Sequence, residues 1–274
     1  MMIRKYAISP QKKLSQNFVV KKKVIDAILA GVALKSSDKV VEVGGGLGTL
    51  TYFLLNGCTE VLTYEIDPLL STIIVKNFID QAKKLTVVSN DFLKQKIPVY
   101  PKLVANLPYN ISSPFIKKIT TLDIPPQTIA VTVQNEFARH LCAKAGDAHY
   151  SRISVLPSFF YNFEIRETFN SNCFYPQPKV KSSLVIGKRT KHIPPQVKET
   201  SFFTFLTNLF CRKHKKVKNN LLVYKNSIDD SQRKQFKSQL KNLEFSTFQT
   251  LNLSPEQILG LYIQFKEMMT ELQK

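Results

Sequence analysis

The chain has few of the residues from which metal sites, disulfide frameworks and histidine-based catalytic sites are built. Its four cysteines are far apart, no C-x-x-C pair occurs, and no histidine stands at ligand spacing from a cysteine. Neither a zinc site nor a disulfide framework is therefore supported. The four histidines are equally scattered and suggest no catalytic dyad, so we expect a protein that works without a metal.

Acidic residues are also scarce, with 20 Asp and Glu against 39 Lys and Arg, which gives a formal net charge of +19. Such an excess causes self-repulsion unless a polyanion offsets it, so nucleic acid is the leading candidate partner. A membrane surface is the second candidate. However, no apolar run approaches the ~20 residues of a spanning helix, and the amino terminus lacks the apolar core of a signal peptide. We expect a soluble, cytoplasmic protein.

The length and composition predict two domains. A chain of 274 residues with 43% hydrophobic content can form one large core and a smaller second domain. Residues 188–201 have the composition of a linker, with two adjacent prolines among charges. Beyond them the apolar periodicity is helical, and Ser254 and Gln257 form a capping-box pattern that opens a last helix. We therefore predict domains at 1–188 and 189–274, the second of them helical.

A glycine turn follows the first β-branched strand of the larger domain and precedes a predicted helix. It forms an E-x-G-x-G-x-G pattern from Glu42, Gly44, Gly46 and Gly48. Strand, glycine turn and helix in that order allow a ligand to approach the backbone at a helix amino end. The dinucleotide fingerprint G-x-G-x-x-G would need glycine where Thr49 stands, so a nicotinamide or flavin cofactor is disfavoured. The cluster alone is also compatible with a simple tight turn.

Two acidic residues end the next two predicted strands. Glu65 lies 21 residues (65 − 44) after the first glycine of the turn, close to the ~20 at which an acidic side chain reaches ribose hydroxyls in such folds. Asp91, followed by Phe92, ends the third strand, and this acid and aromatic could bracket a base. An acid at the end of a strand is often only a helix cap, and that interpretation stays open for both.

The fourth strand ends in an unusual tetrapeptide, N-L-P-Y, formed by Asn106, Leu107, Pro108 and Tyr109. It combines a planar amide, a stiff backbone carbonyl and an aromatic face, which together could grip a flat ring bearing an amino group. The isolated motif is also compatible with a proline turn and a surface tyrosine. Farther along, two prolines stiffen a loop that begins at Phe174, which could face Tyr109 across one pocket. Core packing is the competing interpretation for Phe174.

Basic residues concentrate in two places. Residues 1–23 contain no acid, and the run RKHKKVK at 212–218 lies between apolar helices. Either stretch could be a solvated surface, but a fixed basic patch binds phosphates. The candidate RNA-binding residues are Lys12, Lys13, Lys21, Lys22, Lys23, Arg212, Lys213, Lys215, Lys216 and Lys218.

Taken together, these motifs resemble the small-subunit ribosomal RNA adenine dimethyltransferases, the KsgA family with its archaeal and eukaryotic relatives. The resemblance runs nearly end to end, through KKLSQNFVV, VEVGGGLGTLT, YEID, SND, VANLPYNISSPF, QNEFARHL, FYPQPKVKSS, FCRKHKKVKNNL and LSPEQI. This chain departs from the family pattern in three places. Ser15 replaces the glycine and Val19 the leucine of G-Q-N-F-L, Phe92 replaces a small residue, and His214 interrupts the basic run.

The resemblance implies an α/β fold: a Rossmann-like class I S-adenosylmethionine-dependent methyltransferase domain with a smaller C-terminal all-helical domain. It also implies that Asn17 and the Val19 backbone close over the cofactor, and that the glycine turn approaches its methionine part. Glu65 would bind the ribose hydroxyls of the cofactor, and Asp91 would bind its adenine amino group. The implied cofactor-binding residues are Asn17, Val19, Gly44, Gly46, Glu65, Ile66, Asp91, Phe92 and Asn106.

The implied activity is N6,N6-dimethylation of two adjacent adenosines in the 3′-terminal hairpin of small-subunit rRNA, by a monomer acting on the RNA or on a pre-assembled subunit. The implied catalytic residues are Asn106, Leu107, Pro108, Tyr109 and Phe174. One alternative is a large-subunit rRNA methyltransferase of the antibiotic-resistance type, which typically has isoleucine where this chain has Leu107. Another is a non-catalytic assembly or transcription factor, although Glu65, Asp91 and Asn106 weigh against it.

Overall fold

The computed structural model describes Pro10, Gln11, Leu14 and residues 16–272. Contacts between residues divide the chain into two compact units. Unit 1 consists of the residues up to Arg139 together with Tyr161–Arg189, and unit 2 consists of His140–Phe160 together with the residues from Thr190 onward.

Unit 1 contains a seven-stranded mixed sheet. The strands of the described chain are β1 (Phe18–Val19), β2 (Lys39–Val43), β3 (Glu60–Tyr64), β4 (Leu85–Val88), β5 (Lys102–Asn106), β6 (Thr128–Gln134), β7 (Tyr161–Phe169), β8 (Phe174–Tyr175) and β9 (Ser182–Arg189). Strands β1 and β8 form a separate antiparallel pair, and the large sheet has the order β4-β3-β2-β5-β6-β9-β7. Strand β7 lies at one edge of the large sheet, where it pairs with β9.

The order of the strands creates a switch point between β2 and β5. From β2 the chain moves outward through β3 and β4, then returns to the other side of β2 and continues through β5 and β6, all in parallel. The carboxyl ends of these strands consequently meet along one edge of the sheet. In open α/β sheets, ligands bind outside this edge at the switch point.

The helices of unit 1 cover this sheet through apolar side chains. They are α1 (Lys22–Gly31), α2 (Thr49–Gly57), α3 (Pro68–Asn77), α4 (Ser112–Thr120) and α5 (Asn135–Cys142), the last of which continues into unit 2. Helix α1 buries Val24, Ile25 and Ile28, whose spacing places them on one face. Asp67 caps α3 by accepting a hydrogen bond from the Leu69 N–H, and Pro68 occupies the first helical position.

Unit 2 is helical, as predicted. Its helices are α6 (Arg152–Ser158), α7 (Thr200–Leu209), α8 (Val217–Leu221), α9 (Arg233–Asn242) and α10 (Pro255–Leu272). Aromatic rings form much of its core: the Tyr262 ring lies 5.1 Å from Phe202 and 5.3 Å from Phe205 between centroids. The capping box before α10 is confirmed. The Ser254 N–H donates to Gln257 Oε1, and the Gln257 N–H donates to Ser254 Oγ.

The domain boundaries differ from the prediction at one segment. Residues 140–160 were predicted to belong to the first domain, but their contacts place them in unit 2. The Tyr150 hydroxyl donates to the Leu253 carbonyl at 2.9 Å, and the Gly146 N–H donates to the Leu251 carbonyl at 2.9 Å. These bonds join residues about a hundred positions apart, so no local pattern could reveal them. The chain passes from unit 1 to unit 2 a second time after Arg189, one residue beyond the predicted domain boundary.

Among the helices within the described residues, none combines the length and the apolarity needed to cross a lipid bilayer.

Candidate functional site

A cavity opens where the parallel strands of unit 1 end. Residues after four neighbouring strands contribute to its wall, together with residues of the entry segment before β1. The lining includes Gln16, Asn17, Phe18, Gly44, Gly46, Glu65, Ile66, Asn90, Asp91, Phe92, Asn106 and Pro108. Parallel order explains this convergence, because the carboxyl ends of parallel strands meet at one edge. The structure thus brings together the predicted residues from the glycine turn and from both acidic strand ends. From N-L-P-Y, Asn106 and Pro108 line the cavity, whereas Leu107 and Tyr109 do not.

The glycine turn after β2 forms the floor of the cavity. Gly44 and Gly46 have φ values of 79° and 57°, in the left-handed region that side chains rarely adopt. A Cβ on Gly44 would meet no heavy atom closer than 3.9 Å, the distance to the Asn106 carbonyl oxygen. The backbone at Gly44 carries no side chain and lines the cavity, so a ligand can approach it closely.

Glu65 connects the end of β3 to the glycine turn. Its side chain is 5% exposed, and its two carboxylate oxygens accept the N–H groups of Gly46 at 2.7 Å and Asp67 at 2.9 Å. Burial raises the pKa of Glu65, opposed by these two N–H donors, while the nearby Asp67 charge raises it further. Since each carboxylate oxygen has a second lone pair, the group can still accept hydrogen bonds from a ligand's hydroxyls.

Glu42 lies buried beneath the same turn and does not line the cavity. The hydroxyls of Thr51 and Thr63 both donate to its Oε2, at 2.6 and 2.7 Å. Burial raises the pKa of Glu42 to about 7, although these hydroxyls lower it and the charge of Glu65 raises it again. The sequence pattern identified Glu42 only as the acid before the glycines; its burial emerges from the fold.

Asp91 is a helix cap, which is one of the two interpretations that the sequence left open for it. Its Oδ1 accepts the Leu93 N–H at 2.9 Å at the start of a short 3-10 helix. The residue also lines the cavity, as do Asn90 and Phe92. Asp91 is therefore a helix cap that also lies beside the cavity, and its bond to a base stays a prediction.

The Asn106 side chain is held at both ends of its amide. Its Nδ2 donates to the Asn17 carbonyl at 2.7 Å, and its Oδ1 accepts the Thr132 hydroxyl at 2.5 Å. A backbone carbonyl can only accept, so the first bond determines which end of the amide is nitrogen. The sequence analysis missed Thr132, which lies within an apparently ordinary β-strand.

The aromatic pair predicted to flank a base is not arranged as expected. The Tyr109 hydroxyl and Ser182 Oγ are hydrogen-bonded at 2.6 Å. Burial raises the pKa of Tyr109, opposed by this hydrogen bond. Phe174 is 2% exposed, packs in the apolar core and does not line the cavity. The prediction that Phe174 faces Tyr109 across one pocket is therefore wrong for this structure, and the competing core interpretation is correct.

The two-stranded sheet of β1 and β8 explains why the side chains of Phe174 and Val19 pack against the core and not at the cavity. Strand β1 pairs Val19 with Phe174 and Phe18 with Tyr175. Adjacent residues of a strand point to opposite faces, so Val19 and Phe174 pack together against the core, whereas Phe18 lines the cavity. Asn17 lines the cavity as predicted, but Val19 does not.

The entry segment is tied to the cavity edge by amide side chains that carried no predicted role. Gln11 Nε2 and Gln16 Nε2 both donate to Asp67 Oδ2, at 2.8 and 3.1 Å. Gln16 Oε1 in turn accepts the Gln11 N–H at 2.8 Å. Asp67 therefore joins this segment to the first turn of α3. The Q-N-F and Y-E-I-D motifs contain Gln16 and Asp67, but only the fold shows that these two residues meet.

The candidate RNA-binding residues differ in how freely their charges face solvent. Lys21, Lys22 and Lys23 are exposed, and Lys22 pairs with Asp26 at 2.5 Å. In unit 2, Arg212, Lys215 and Lys216 are exposed and Lys218 is half-buried, whereas Lys213 donates to the carbonyls of Ala148 and Tyr150. Lys12 and Lys13 lie outside the described residues.

A search of the described residues for groups of three or more His, Cys, Asp or Glu side chains that could hold a metal ion finds none.

Comparisons with known proteins agree with this geometry. The family model described as ribosomal RNA adenine dimethylase matches residues 8–254. The ribosomal RNA small subunit methyltransferase A of Mycoplasma mobile is 35% identical over 255 residues, which are 92% of this chain and 95% of that protein. The crystal structure of a dimethyladenosine transferase from Plasmodium falciparum is 26% identical, with a TM-score of 0.80 over 91% of this chain and 98% of its own.

A second solved structure, the 23S rRNA methyltransferase ErmE, is 25% identical, with a TM-score of 0.67 over 91% of this chain and all of its own. These likenesses confirm the predicted class I methyltransferase fold. With a family model that matches most of its length, this chain belongs to the ribosomal RNA adenine dimethylase family.

Proposed function

We propose that this protein dimethylates N6 of two adjacent adenosines in the 3′-terminal hairpin of small-subunit rRNA during ribosome biogenesis, with S-adenosylmethionine as methyl donor. One observation carries the proposal. The Asn106 amide, held at both ends, lies on the wall of a cavity that also contains the glycine turn, Glu65 and Asp91. A cofactor site and a group suited to an exocyclic amine are therefore adjacent.

The residues of the cavity fit S-adenosylmethionine. Gly44 and Gly46, which carry no side chain and line the cavity, would admit the methionine part close to the backbone. Glu65 accepts hydrogen bonds from the ribose hydroxyls, and Asp91 accepts one from the adenine amino group. The side chains of Ile66 and Phe92, which also line the cavity, offer apolar contact to the adenine ring. This assignment retains the predicted cofactor residues apart from Val19.

The catalytic role of N-L-P-Y follows from the chemistry of adenine N6, whose lone pair is delocalised into the ring. Asn106 Oδ1, which has a second lone pair, accepts one N6–H. We assign the other N6–H to the carbonyl of Leu107 or of Pro108; the Pro108 carbonyl accepts the Ile111 N–H and keeps a second lone pair. These two bonds favour a tetrahedral nitrogen whose electrons are available for attack. The attack itself needs no general base, because N6 would lose its proton to solvent only after the new N–C bond has formed and the S–C bond has broken.

The bound cofactor supplies an electrophilic methyl group on a sulfonium. The protein's task is to hold N6 in line with it, at a contact distance of about 3 to 3.5 Å. Since the cavity wall places Asn106 beside both the glycine turn and Pro108, this alignment is a matter of positioning rather than of acid or base chemistry.

The target adenine must leave its stack to reach this site, which costs a few kcal/mol. Stacking on an aromatic ring offsets part of that cost, and Tyr109 is the ring that we assign to this role. A loop adenine is the least costly target. The exposed cations among Lys21–Lys23, and Arg212, Lys215 and Lys216 in the helical domain, bind the phosphates of the flanking RNA.

The proposal includes action as a monomer in the cytoplasm, on rRNA within an assembling small subunit. The 35% identity to the ribosomal RNA small subunit methyltransferase A of Mycoplasma mobile, against 25% to the 23S rRNA methyltransferase ErmE, supports the small-subunit target over the large-subunit one.

The test is transfer of tritiated methyl from S-adenosylmethionine to small subunits that lack these methylations, followed by nucleoside analysis. We expect radioactive N6,N6-dimethyladenosine in small-subunit RNA, and no incorporation into subunits that are already methylated. Label in large-subunit RNA would instead identify the antibiotic-resistance type of activity. Subunit binding without incorporation would identify a non-catalytic assembly factor.

A further inference from the structure

Thr132 contacts the N-L-P-Y segment at two points from the neighbouring strand. Strands β5 and β6 are parallel, and Thr132 stands directly opposite Asn106 in their register. Its hydroxyl donates to Asn106 Oδ1, and its backbone carbonyl accepts the Leu107 N–H at 3.2 Å. The side chain is 1% exposed, so this hydroxyl has no access to bulk water as an alternative partner.

The hydrogen bond from the Thr132 hydroxyl fixes the end of the Asn106 amide that the bond to Asn17 leaves unanchored. The bond from Nδ2 to the Asn17 carbonyl determines which end of the Asn106 amide is nitrogen, but it anchors only that end. A planar amide held at one atom can still swing about that contact. A donor on Oδ1 fixes the second end and engages one of its two lone pairs, which leaves the other for an incoming amine.

We propose that Thr132 is a positioning residue for methyl transfer, because its hydroxyl fixes the Asn106 amide so that Oδ1 presents its remaining lone pair to adenine N6. This inference rests on the proposed function. Thr132 itself touches neither the substrate nor the cofactor, and it does not line the cavity. Its effect therefore belongs to the chemical step rather than to cofactor binding.

A purely structural role is the competing explanation, since threonine is β-branched and suits a central strand. Two substitutions at the same position distinguish the roles. Thr132→Val keeps the shape and removes the hydroxyl, whereas Thr132→Ser keeps the hydroxyl and removes a methyl group. Thr128→Val is the matched control, because Thr128 lies on the same face of the same strand, four residues nearer its amino end.

The experiment compares these three variants with the unmodified protein in single-turnover methyl transfer to undermethylated small subunits. The loss of one positioning hydrogen bond corresponds to about a tenfold lower rate for Thr132→Val. We expect Thr132→Ser to remain within threefold of the unmodified protein and Thr128→Val to match it. Calorimetry should show that S-adenosylmethionine binds all four proteins with the same affinity to within about twofold.

Three results would overturn the inference. They are an unchanged rate for Thr132→Val, an equal loss for Thr132→Ser, and a loss of cofactor affinity that parallels the loss of rate. A second readout does not depend on activity: the side-chain amide resonances of Asn106 should shift or broaden in Thr132→Val but not in Thr132→Ser. If the unmodified protein failed to methylate small subunits, the proposed function would fall, while these resonances would still show whether Thr132 fixes the amide.

Discussion

The cavity of unit 1 and the basic run at 212–218 of unit 2 are built in opposite ways. Around the cavity, functional side chains are held by bonds between distant parts of the chain: Asn106 by Asn17 and Thr132, and Glu65 by Gly46. The basic run consists of consecutive residues, and Arg212, Lys215 and Lys216 among them face solvent.

This difference matches the two tasks that we assign to the regions. A reaction at one nitrogen needs groups fixed to within a fraction of an ångström, and preorganised groups cost nothing to orient when the reaction occurs. Binding a polyanion needs mainly a density of charge, because counterion release supplies the affinity whatever the detailed geometry. Substitutions in the cavity should therefore have large and specific effects, and those in the basic run small and general ones.

The largest effect is expected from Asn106→Ala. Removing the amide deletes the acceptor for one N6–H, so the rate of methyl transfer should fall by about 10²–10³-fold, as for the loss of an oxyanion-hole donor. Binding of small subunits should be nearly unchanged, as measured by filter retention. Asn56→Ala is the control, since Asn56 is an exposed asparagine whose amide donates to the Tyr52 carbonyl at the end of α2. Equal loss of binding and transfer would show that Asn106 is only structural.

A second large effect concerns the pH dependence of the free energy of unfolding of unit 1. The pKa of Glu42 is raised from the usual 4.5 to about 7, so between these values the folded protein holds a proton that the unfolded chain releases. The folded state binds more protons there, and the free energy of unfolding falls as pH rises through this window. The total loss is up to about 3 kcal/mol, at about 1.4 kcal/mol for each pKa unit.

Glu42→Gln removes this titration and keeps the shape. We expect the variant to be the more stable protein above pH 7, with a flatter dependence of its melting temperature on pH between 5 and 8. Parallel melting curves for the two proteins across that range would show that Glu42 does not carry the pH dependence.

Glu65→Gln should weaken binding of S-adenosylmethionine by about 10–100-fold, the range for losing charge-assisted hydrogen bonds. Calorimetry measures this directly. Glu60→Gln is a matched control at the opposite end of β3, where Glu60 pairs with Lys39 at 2.7 Å, and its affinity for the cofactor should be unchanged. If both variants bound equally well, the ribose assignment of Glu65 would be wrong.

The smallest effect is expected from the double substitution of Lys215 and Lys216 by alanine. Each lost phosphate contact should reduce the slope of log affinity against log salt by about 0.7 for single-stranded and 0.9 for duplex RNA. The single-turnover rate at saturating RNA should not change. Alanines at Lys83 and Lys84, another exposed adjacent pair, provide the matched control. A reduced rate at saturation would mean that the basic run contributes to more than binding.

The predicted residues that the structure brings to the cavity are those whose location depends on position along a strand. The glycine turn, Glu65, Asp91 and Asn106 each follow a buried strand, and parallel strands bring such positions together. The capping box at Ser254 was likewise predictable, because both partners lie within one turn of helix.

The errors occur where a contact joins residues far apart in sequence. Phe174 lies on the core side of a two-stranded sheet whose register no local pattern shows. Segment 140–160 belongs to unit 2 through bonds such as that from Tyr150 to Leu253. Neither outcome follows from the composition of the segments themselves.

Sequence alone thus determined the order of the elements, the family and the strand-end residues of the site, because each follows from periodicity, turn chemistry or motif. The tertiary structure decided which of two adjacent side chains faces the cavity, which carboxyl is buried and which hydroxyl holds the Asn106 amide. The physical reason is that burial and hydrogen bonding depend on neighbours brought together by folding, and their separation along the chain carries no local signal.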